Sequence, residues 1–290
     1  MIQDIKPHNL INNYNPQARA SSDSPIIIHS NGKFLLHIDE DQKTIEYPRY
    51  KDLSSFKLEN LTYLFKIDEE EFFYYPGDEN ILLPGFDFYD MKHLRNYYLD
   101  PKHYVFAAYT AIQLVEWYEG TVYCGKCGSK NGNSLTERAR ICPTCGKVIY
   151  PRINPAVIVG VTNGDKLLLT KYKVGFAHNA LVAGFTEIGE TVEETVQREV
   201  MEETGLKVKN IRYYKSQPWG IASDILMGFF CDVDGDSTIT MDESELKYAE
   251  WVAREDIVLQ PLEYSLTNEM MKLFKYNNHL TFNTEGHHNN

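Results

Sequence analysis

Gly184-Phe-Thr-Glu-Ile-Gly-Glu190-Thr-Val-Glu-Glu-Thr-Val-Gln-Arg198-Glu199-Val-Met-Glu202-Glu203-Thr-Gly205-Leu206 is the most informative run in this 290-residue chain. Thr191 followed three residues later by Glu194 makes a capping-box start, and Gly205 stands where a helix ends in the left-handed conformation. The spacing predicts a helix from Thr191 to Thr204, with Val192, Val196 and Val200 as the apolar row that lies on a core. Glu199, Glu202 and Glu203 stand at i, i+3 and i+4, so all three project from one face about a turn apart. Like charges at that spacing repel, and Arg198 is the only cation within the run. An acidic solvated helix is the plain alternative, but such helices interleave lysines. Clustered carboxylates without them are what hard divalent cations, Mg²⁺ or Mn²⁺, require as oxygen ligands.

Around this helix, Pro155 to Thr162 and Lys166 to Tyr172 read as strands joined by the hairpin signal Asn163-Gly164-Asp165. Further strands are expected at Ile211 to Lys215, Leu226 to Val233, Ser237 to Met241 and Lys247 to Val252, and a last helix near Leu262 to Tyr276. Alternation of strand and helix with short connections predicts a mixed α/β sandwich. Upstream, Cys124-x-x-Cys127 and Cys142-x-x-Cys145 supply four thiolates across 14 intervening residues, enough to close a tetrahedral zinc shell with no open position, hence a structural Zn²⁺. Gly128 and Gly146 follow the two pairs and let each backbone turn toward its sulfurs. The fifth cysteine, Cys231, sits in an apolar strand and reads as a core thiol.

The first hundred residues hold short β-prone runs (Pro25 to His29, Phe34 to Ile38, Leu61 to Ile67, Glu71 to Tyr75) punctuated by Asn31-Gly32 and Pro76-Gly77, and carry no legible chemistry. A helix follows from Pro101 to Glu119, with Asp100 as its expected cap. The domain reading is therefore 1–118 for a small N-terminal α+β domain, 119–150 for a zinc ribbon, 151–280 for the mixed sandwich and 281–290 for a flexible tail whose His287-His288 pair is solvated.

With 43% apolar and 24% charged residues the chain is globular in composition, and its net charge of −12 gives no overall attraction to nucleic acid or anionic membranes. A polyanionic substrate must then meet local cations or metal ions. No apolar run approaches the roughly 18 residues that span a bilayer, and the opening MIQDIKPHNL lacks a basic then apolar leader. The expectation is a cytoplasmic protein without membrane partners, in which paired cysteines bind metal rather than oxidise.

The run from Gly184 to Leu206 resembles, at every fixed position, the Nudix box, Gly-x5-Glu-x7-Arg-Glu-U-x-Glu-Glu-x-Gly-U with U aliphatic. That resemblance implies an α/β/α Nudix sandwich that hydrolyses a nucleoside diphosphate linked to another moiety. It also implies that Glu199 and Glu203 bind the catalytic Mg²⁺ or Mn²⁺ with the Ala183 carbonyl and Glu245, that Glu190 and Arg198 pair to brace the loop, and that the Glu202/Glu203 pair supplies the general base.

A ribbon directly before the box resembles the bacterial NADH pyrophosphatase group, also described as NAD-cap decapping hydrolases, over roughly residues 90–275. The likeness is carried by Ala111-Ile-Gln-Leu-Val-Glu-Trp-Tyr, Tyr123-Cys-Gly-Lys-Cys-Gly, Tyr150-Pro-Arg-Ile-Asn-Pro, Leu181-Val-Ala-Gly-Phe and Ser216-Gln-Pro-Trp219. It implies cleavage of NADH or NAD⁺ to nicotinamide mononucleotide and AMP, NAD-capped RNA as a further substrate, and a homodimer in which Tyr150 of one copy and Phe185 of the other sandwich the nicotinamide. Gln217, Pro218 and Trp219 then belong to the substrate signature, Thr267 stands where the group has alanine, and Arg95 where it has a substrate-facing arginine. For Trp219 and Phe185 the alternative is core packing, and for Arg95 a surface charge. After Trp219 the group's Pro-Phe-Pro-x-Ser becomes Gly220-Ile-Ala-Ser-Asp224, which predicts a looser, more acidic loop. Two other functions are compatible with the residues: hydrolysis of another derivative such as ADP-ribose, and nucleotide sensing without catalysis by a zinc-ribbon protein. The ribbon's Lys126, Lys130, Arg138, Arg140 and Lys147 either touch RNA phosphates or are ordinary solvated charges.

Overall fold

The computed structural model describes residues 1–56, 58–76, 81–173 and 178–276. The expected tail at 281–290, His287-His288 included, and Gly77 of the Pro76-Gly77 turn lie outside the described residues. The chain separates into two compact units, one of residues Ile2–Ile153 with Trp219–Ser223, the other of Met1, Asn154–Pro218 and the residues from Asp224 onward.

In the first unit, β1 (Leu10–Ile11), β2 (Ile26–Ser30), β3 (Lys33–Asp39), β4 (Thr44–Glu46), β5 (Thr62–Ile67), β6 (Glu70–Pro76) and β7 (Asp87–Asp90) form one sheet in the order β1-β5-β6-β2-β3-β4, with β7 also on β3. Four of these strands match the β-prone runs. Helices α1 (Met91–Asn96) and α2 (Lys102–Gly120) follow. Asp100 is not the cap of α2, as had been expected; Pro101 precedes the helix and no side chain caps it. The ribbon strands β8 (Gly132–Asn133), β9 (Arg140–Ile141) and β10 (Val148–Ile149) pair antiparallel. The ribbon docks within this unit: Tyr14 donates to the Ser134 carbonyl at 2.7 Å, and Arg138 donates to the Leu64 carbonyl at 2.5 Å. Arg140 likewise donates to the Asn131 carbonyl, so two of the five basic ribbon residues are held by internal partners.

The second unit contains β11 (Asn154–Asn163), β12 (Lys166–Tyr172), β13 (Val182–Phe185), α3 (Val192–Thr204), β14 (Val208–Trp219), β15 (Asp224–Val233), β16 (Leu246–Ala253) and α4 (Leu266–Tyr276). The sheet runs β14-β15-β11-β12-β16, with β13 on β11, and it is mixed because β11 and β15 are parallel. Alternation along β11 divides its side chains between two cores. Val157, Val159 and Val161 face Val196, Val200 and Cys231 under α3, while Ile158 joins Leu266, Met270 and Phe274 under α4. Full burial of Val196 and Val200 stabilises the α3 seat by about 1.5–3 kcal/mol each. Thr191 Oγ1 accepts from the Glu194 amide and Glu194 accepts from the Thr191 amide at 2.7 Å, so the expected capping box is formed. The expected strand at Ser237 to Met241 is absent: its backbone is tied to α3 and β16 instead, Thr240 N donating to the Thr204 carbonyl and Trp251 Nε1 to the Ser237 carbonyl. Among the described residues no helix is long and apolar enough to cross a membrane.

Candidate active site

α3 is seated so that its carboxylates differ in environment, although their spacing predicted one shared face. Glu203 is 3% exposed, Glu199 lies mostly covered, and Glu202 is open to solvent. Glu199 rests against the backbone of β13: a Cβ at Gly184 would fall 1.9 Å from the Glu199 Cδ. Glu203 Oε1 accepts the Tyr172 hydroxyl at 2.9 Å, while its buried Oε2 has no hydrogen-bond partner. Burial, reinforced by the negative charges of Glu199 and Glu245, pushes Glu203 up to about 8. Burial raises Glu199 too, against the pull of Arg198. Tyr172 was not foreseen from the sequence, and its hydroxyl is held protonated by burial and by Glu203.

Arg198 organises the rest. Its Nε and Nη2 grip Glu190 at 2.6 and 2.9 Å, Nη2 also donates to the Phe185 carbonyl at 2.9 Å, and Nη1 reaches Glu199 at 2.8 Å and Glu202 at 2.9 Å. The guanidinium holds Glu190 down to about 2. The Glu190–Arg198 pair implied by the resemblance is thus formed, and it ties the loop before α3 to the helix.

The substrate-side residues are distributed unequally. Phe185 ends β13 half-exposed, and Tyr150 ends the ribbon half-exposed with its hydroxyl on Glu137 at 3.1 Å. Trp219 is buried, with Arg95 over its ring at 5.5 Å and Tyr109 edge-on at 5.1 Å, so Arg95 and Trp219 come together within the N-terminal unit. Gln217 is fully buried: its Nε2 donates to the Tyr264 carbonyl and its Oε1 accepts the Leu266 amide, which joins β14 to the start of α4. Pro218 is exposed, Thr267 is half-buried on the first turn of α4, and Glu245 lies in the turn before β16, its carbonyl accepting from Lys173 N. The loop after Trp219 is not loose as expected, since Gly220–Ala222 form a helical turn against α2. Nor does Asp224 add surface charge: it is buried beside Asn154, with Oδ1 unpaired, and burial lifts its carboxyl to about 6.

In the ribbon, the four sulfurs of Cys124, Cys127, Cys142 and Cys145 all lie within 4.8 Å of one another. The Cys124–Cys145 and Cys127–Cys142 pairs are 3.7 and 3.4 Å apart, close to the edge of about 3.8 Å in a tetrahedron built on zinc–sulfur bonds of about 2.3 Å. Gly128 N donates to the Cys124 carbonyl and Gly146 N to the Cys142 carbonyl, making two matching knuckles. The Ser129 amide holds Cys127 down to about 6, whereas, against the Lys147 amide, desolvation and the other sulfurs push Cys145 up to about 11. Four sulfurs this close need a cation among them before all can be thiolates. Cys231 is fully buried among apolar side chains, as expected.

Comparison with known proteins matches two stretches of the chain. Residues 152–274 match the model of the NUDIX domain, and residues 121–150 that of the NADH pyrophosphatase zinc ribbon domain. Among curated proteins, the NAD-capped RNA hydrolase NudC of Shigella dysenteriae is 38% identical over 164 residues, 56% of this chain and 63% of that protein. The proteins of the same name from Shigella flexneri and Escherichia coli are 42% and 41% identical over 52% of this chain and 58% of their own length. The matched part of the chain therefore spans about three fifths of these relatives. Among solved structures, a NUDIX hydrolase from Nitrosomonas europaea aligns with a TM-score of 0.46 at 21% identity, covering 53% of this chain and 90% of its own. A stretch that matches the NUDIX domain thus stands directly behind one that matches the NADH pyrophosphatase zinc ribbon domain.

Proposed function

We propose that this protein hydrolyses the diphosphate bond of NADH and NAD⁺ to nicotinamide mononucleotide and AMP, with NAD-capped RNA as a further substrate. The observation that carries the reading is the carboxylate set on α3, above all the buried Glu203 whose Oε2 has no protein partner. An all-oxygen donor set with an orphaned buried carboxylate oxygen suits a hard divalent cation. Glu199 and Glu203, with the Ala183 carbonyl and Glu245, are the residues that would hold Mg²⁺ or Mn²⁺. Such ions, when bound, neutralise the diphosphate oxygens and acidify a water for in-line attack.

The chain's own groups set the stage for that chemistry. Tyr172 fixes the Glu203 carboxylate by donating to Oε1. Arg198 draws Glu190, Glu199, Glu202 and the Phe185 carbonyl to one guanidinium, which fixes the loop and the helix in a single register. Proton removal from the attacking water belongs to the Glu202/Glu203 pair, of which Glu202 is the member open to solvent. Phe185 offers an exposed ring on which a nicotinamide stacks, with Tyr150 from a second copy completing the sandwich; Gln217, Pro218, Asp224 and Thr267 in the hydrolase unit, and Arg95 with Trp219 in the N-terminal unit, are the further residues that the resemblance assigns to substrate. The reading includes a homodimer, the cytoplasm as compartment, and the division into 1–118, 119–150 and 151–280. Four ribbon cysteines in a metal-binding arrangement support the compartment, and an exposed aromatic at the ribbon's end supports the second copy.

The test is a side-by-side measurement of kcat/KM for NADH, NAD⁺, ADP-ribose and NAD-capped RNA with Mg²⁺ and with Mn²⁺. Release of nicotinamide mononucleotide and AMP, with dinucleotides ahead of ADP-ribose, is expected. Preference for ADP-ribose would replace the substrate, and no hydrolysis of any of them would leave a nucleotide-sensing protein.

A further inference from the structure

The loop between β14 and β15 is where the chain departs most from the group's signature, and it is also a stretch that belongs with the N-terminal unit. Gly220 lies so close to α2 that a Cβ there would fall 1.6 Å from the Tyr109 carbonyl oxygen and 2.8 Å from its carbon. The ring of the same tyrosine meets Trp219 edge-on at an interplanar angle of 64°. At the far end of the turn, Ser223 sits in the left-handed region at φ 59°, its amide donating to the Gly220 carbonyl at 3.1 Å. A non-glycine residue in that conformation costs about 1–2 kcal/mol, so the surroundings impose this turn. Pro218 and Asp224 flank it, each in a strand of the hydrolase sheet.

We infer that Tyr109 and Gly220 form a positioning pair through which α2 sets the conformation of the substrate loop. This rests on the dinucleotide reading above. The signature's Pro-Phe-Pro stiffens such a loop from within, by fixed φ; here Gly220-Ile-Ala is held from without, and only glycine permits the contact. Neither Tyr109 nor Gly220 is one of the carboxylates of α3. The pair therefore preorganises binding and leaves bond breaking alone.

The experiment compares Gly220→Ala, Tyr109→Leu and Tyr109→Phe for kcat and KM on NAD⁺ and ADP-ribose, together with deuterium uptake across residues 216–226. Gly220→Ala and Tyr109→Leu should raise KM for NAD⁺ about tenfold with kcat held within about twofold, and raise uptake over the loop. Tyr109→Phe keeps the ring against Trp219 and should restore both. Should Gly220→Ala fail to fold, the two Tyr109 variants decide, because they force no backbone clash. Unchanged loop uptake, unchanged KM, or an equal loss of kcat on both substrates would each overturn the inference. Wild-type protein that ignores NAD⁺ yet cleaves ADP-ribose would sink the dinucleotide reading instead, and loop uptake with KM for ADP-ribose would then judge the pair.

Discussion

The carboxylate of Glu199 is pressed onto the α-carbon of Gly184, its two oxygens 2.0 and 2.3 Å from where a Cβ would stand. A methyl group at 184 must therefore expel Glu199 from its place. Gly184→Ala should cut kcat by roughly 10²-fold or more and raise the Mg²⁺ concentration for half-maximal activity, with the zinc content unchanged. Metal titrations of activity beside a zinc assay check this; a variant with ordinary metal dependence would remove Glu199 from the ligand set.

The three glutamates of α3 should separate by their surroundings. Glu199→Gln and Glu203→Gln should each lower turnover by about 10³-fold and weaken metal affinity, since a neutral amide is a poor ligand for a hard cation. Glu202→Gln should lower kcat with little change in the metal concentration required. Parallel metal titrations of the three variants tell ligand from base.

Arg198→Lys removes the fork that spans Glu190 and the Phe185 carbonyl while keeping one positive charge. A loss of about 2 kcal/mol of transition-state stabilisation, roughly 30-fold in kcat/KM, is expected. Activity within twofold of wild type would mean that charge alone suffices there.

Asp224 gives a pH signature. Its carboxyl is raised by burial to about 6, above the ordinary 3.8. A group raised in the folded state contributes stability that is full below its unfolded pKa and is lost as pH rises through the folded one, here between about 4 and 6. Asp224→Asn, neutral throughout, should match wild type near pH 4 and exceed it at pH 8, by roughly 2–4 °C in Tm if about 1 kcal/mol is at stake. Equal melting curves at both pH values would show that the carboxylate finds compensation when charged.

One zinc per chain is expected by native mass spectrometry, with no disulfide among the four ribbon cysteines. Chelation should unfold the ribbon and release the contacts it makes through Arg138 and Tyr14, lowering the Tm of the N-terminal unit. Metal-free, oxidised protein that melts unchanged would contradict this.

Local signals made much of this molecule legible. The capping box, the valine row and the terminal glycine of α3 act within a few residues, and the cysteine knuckles are equally local, so spacing alone located them. The Ser237 to Met241 run failed because its backbone bonds to the end of α3 and to the Trp251 indole of β16 rather than to a strand ladder. Tyr172 went unnoticed because an alternating strand gives no sign of a carboxylate 31 residues away. The predicted loop looseness followed from glycine's freedom in isolation, whereas Gly220 is confined by a helix more than a hundred residues earlier in the chain. Gln217 was read for its place in a signature, and its amide proves to bridge two stretches of backbone.

Because Trp219–Ser223 is packed with the N-terminal unit, a cut after Ile153 would not yield two self-sufficient modules. The excised hydrolase would carry five residues shaped for a surface it no longer has, and a chimera that borrowed its front half from a relative bearing the proline-rich signature would inherit a mismatched seat. In this lineage the helix and the loop are expected to be exchanged together or not at all.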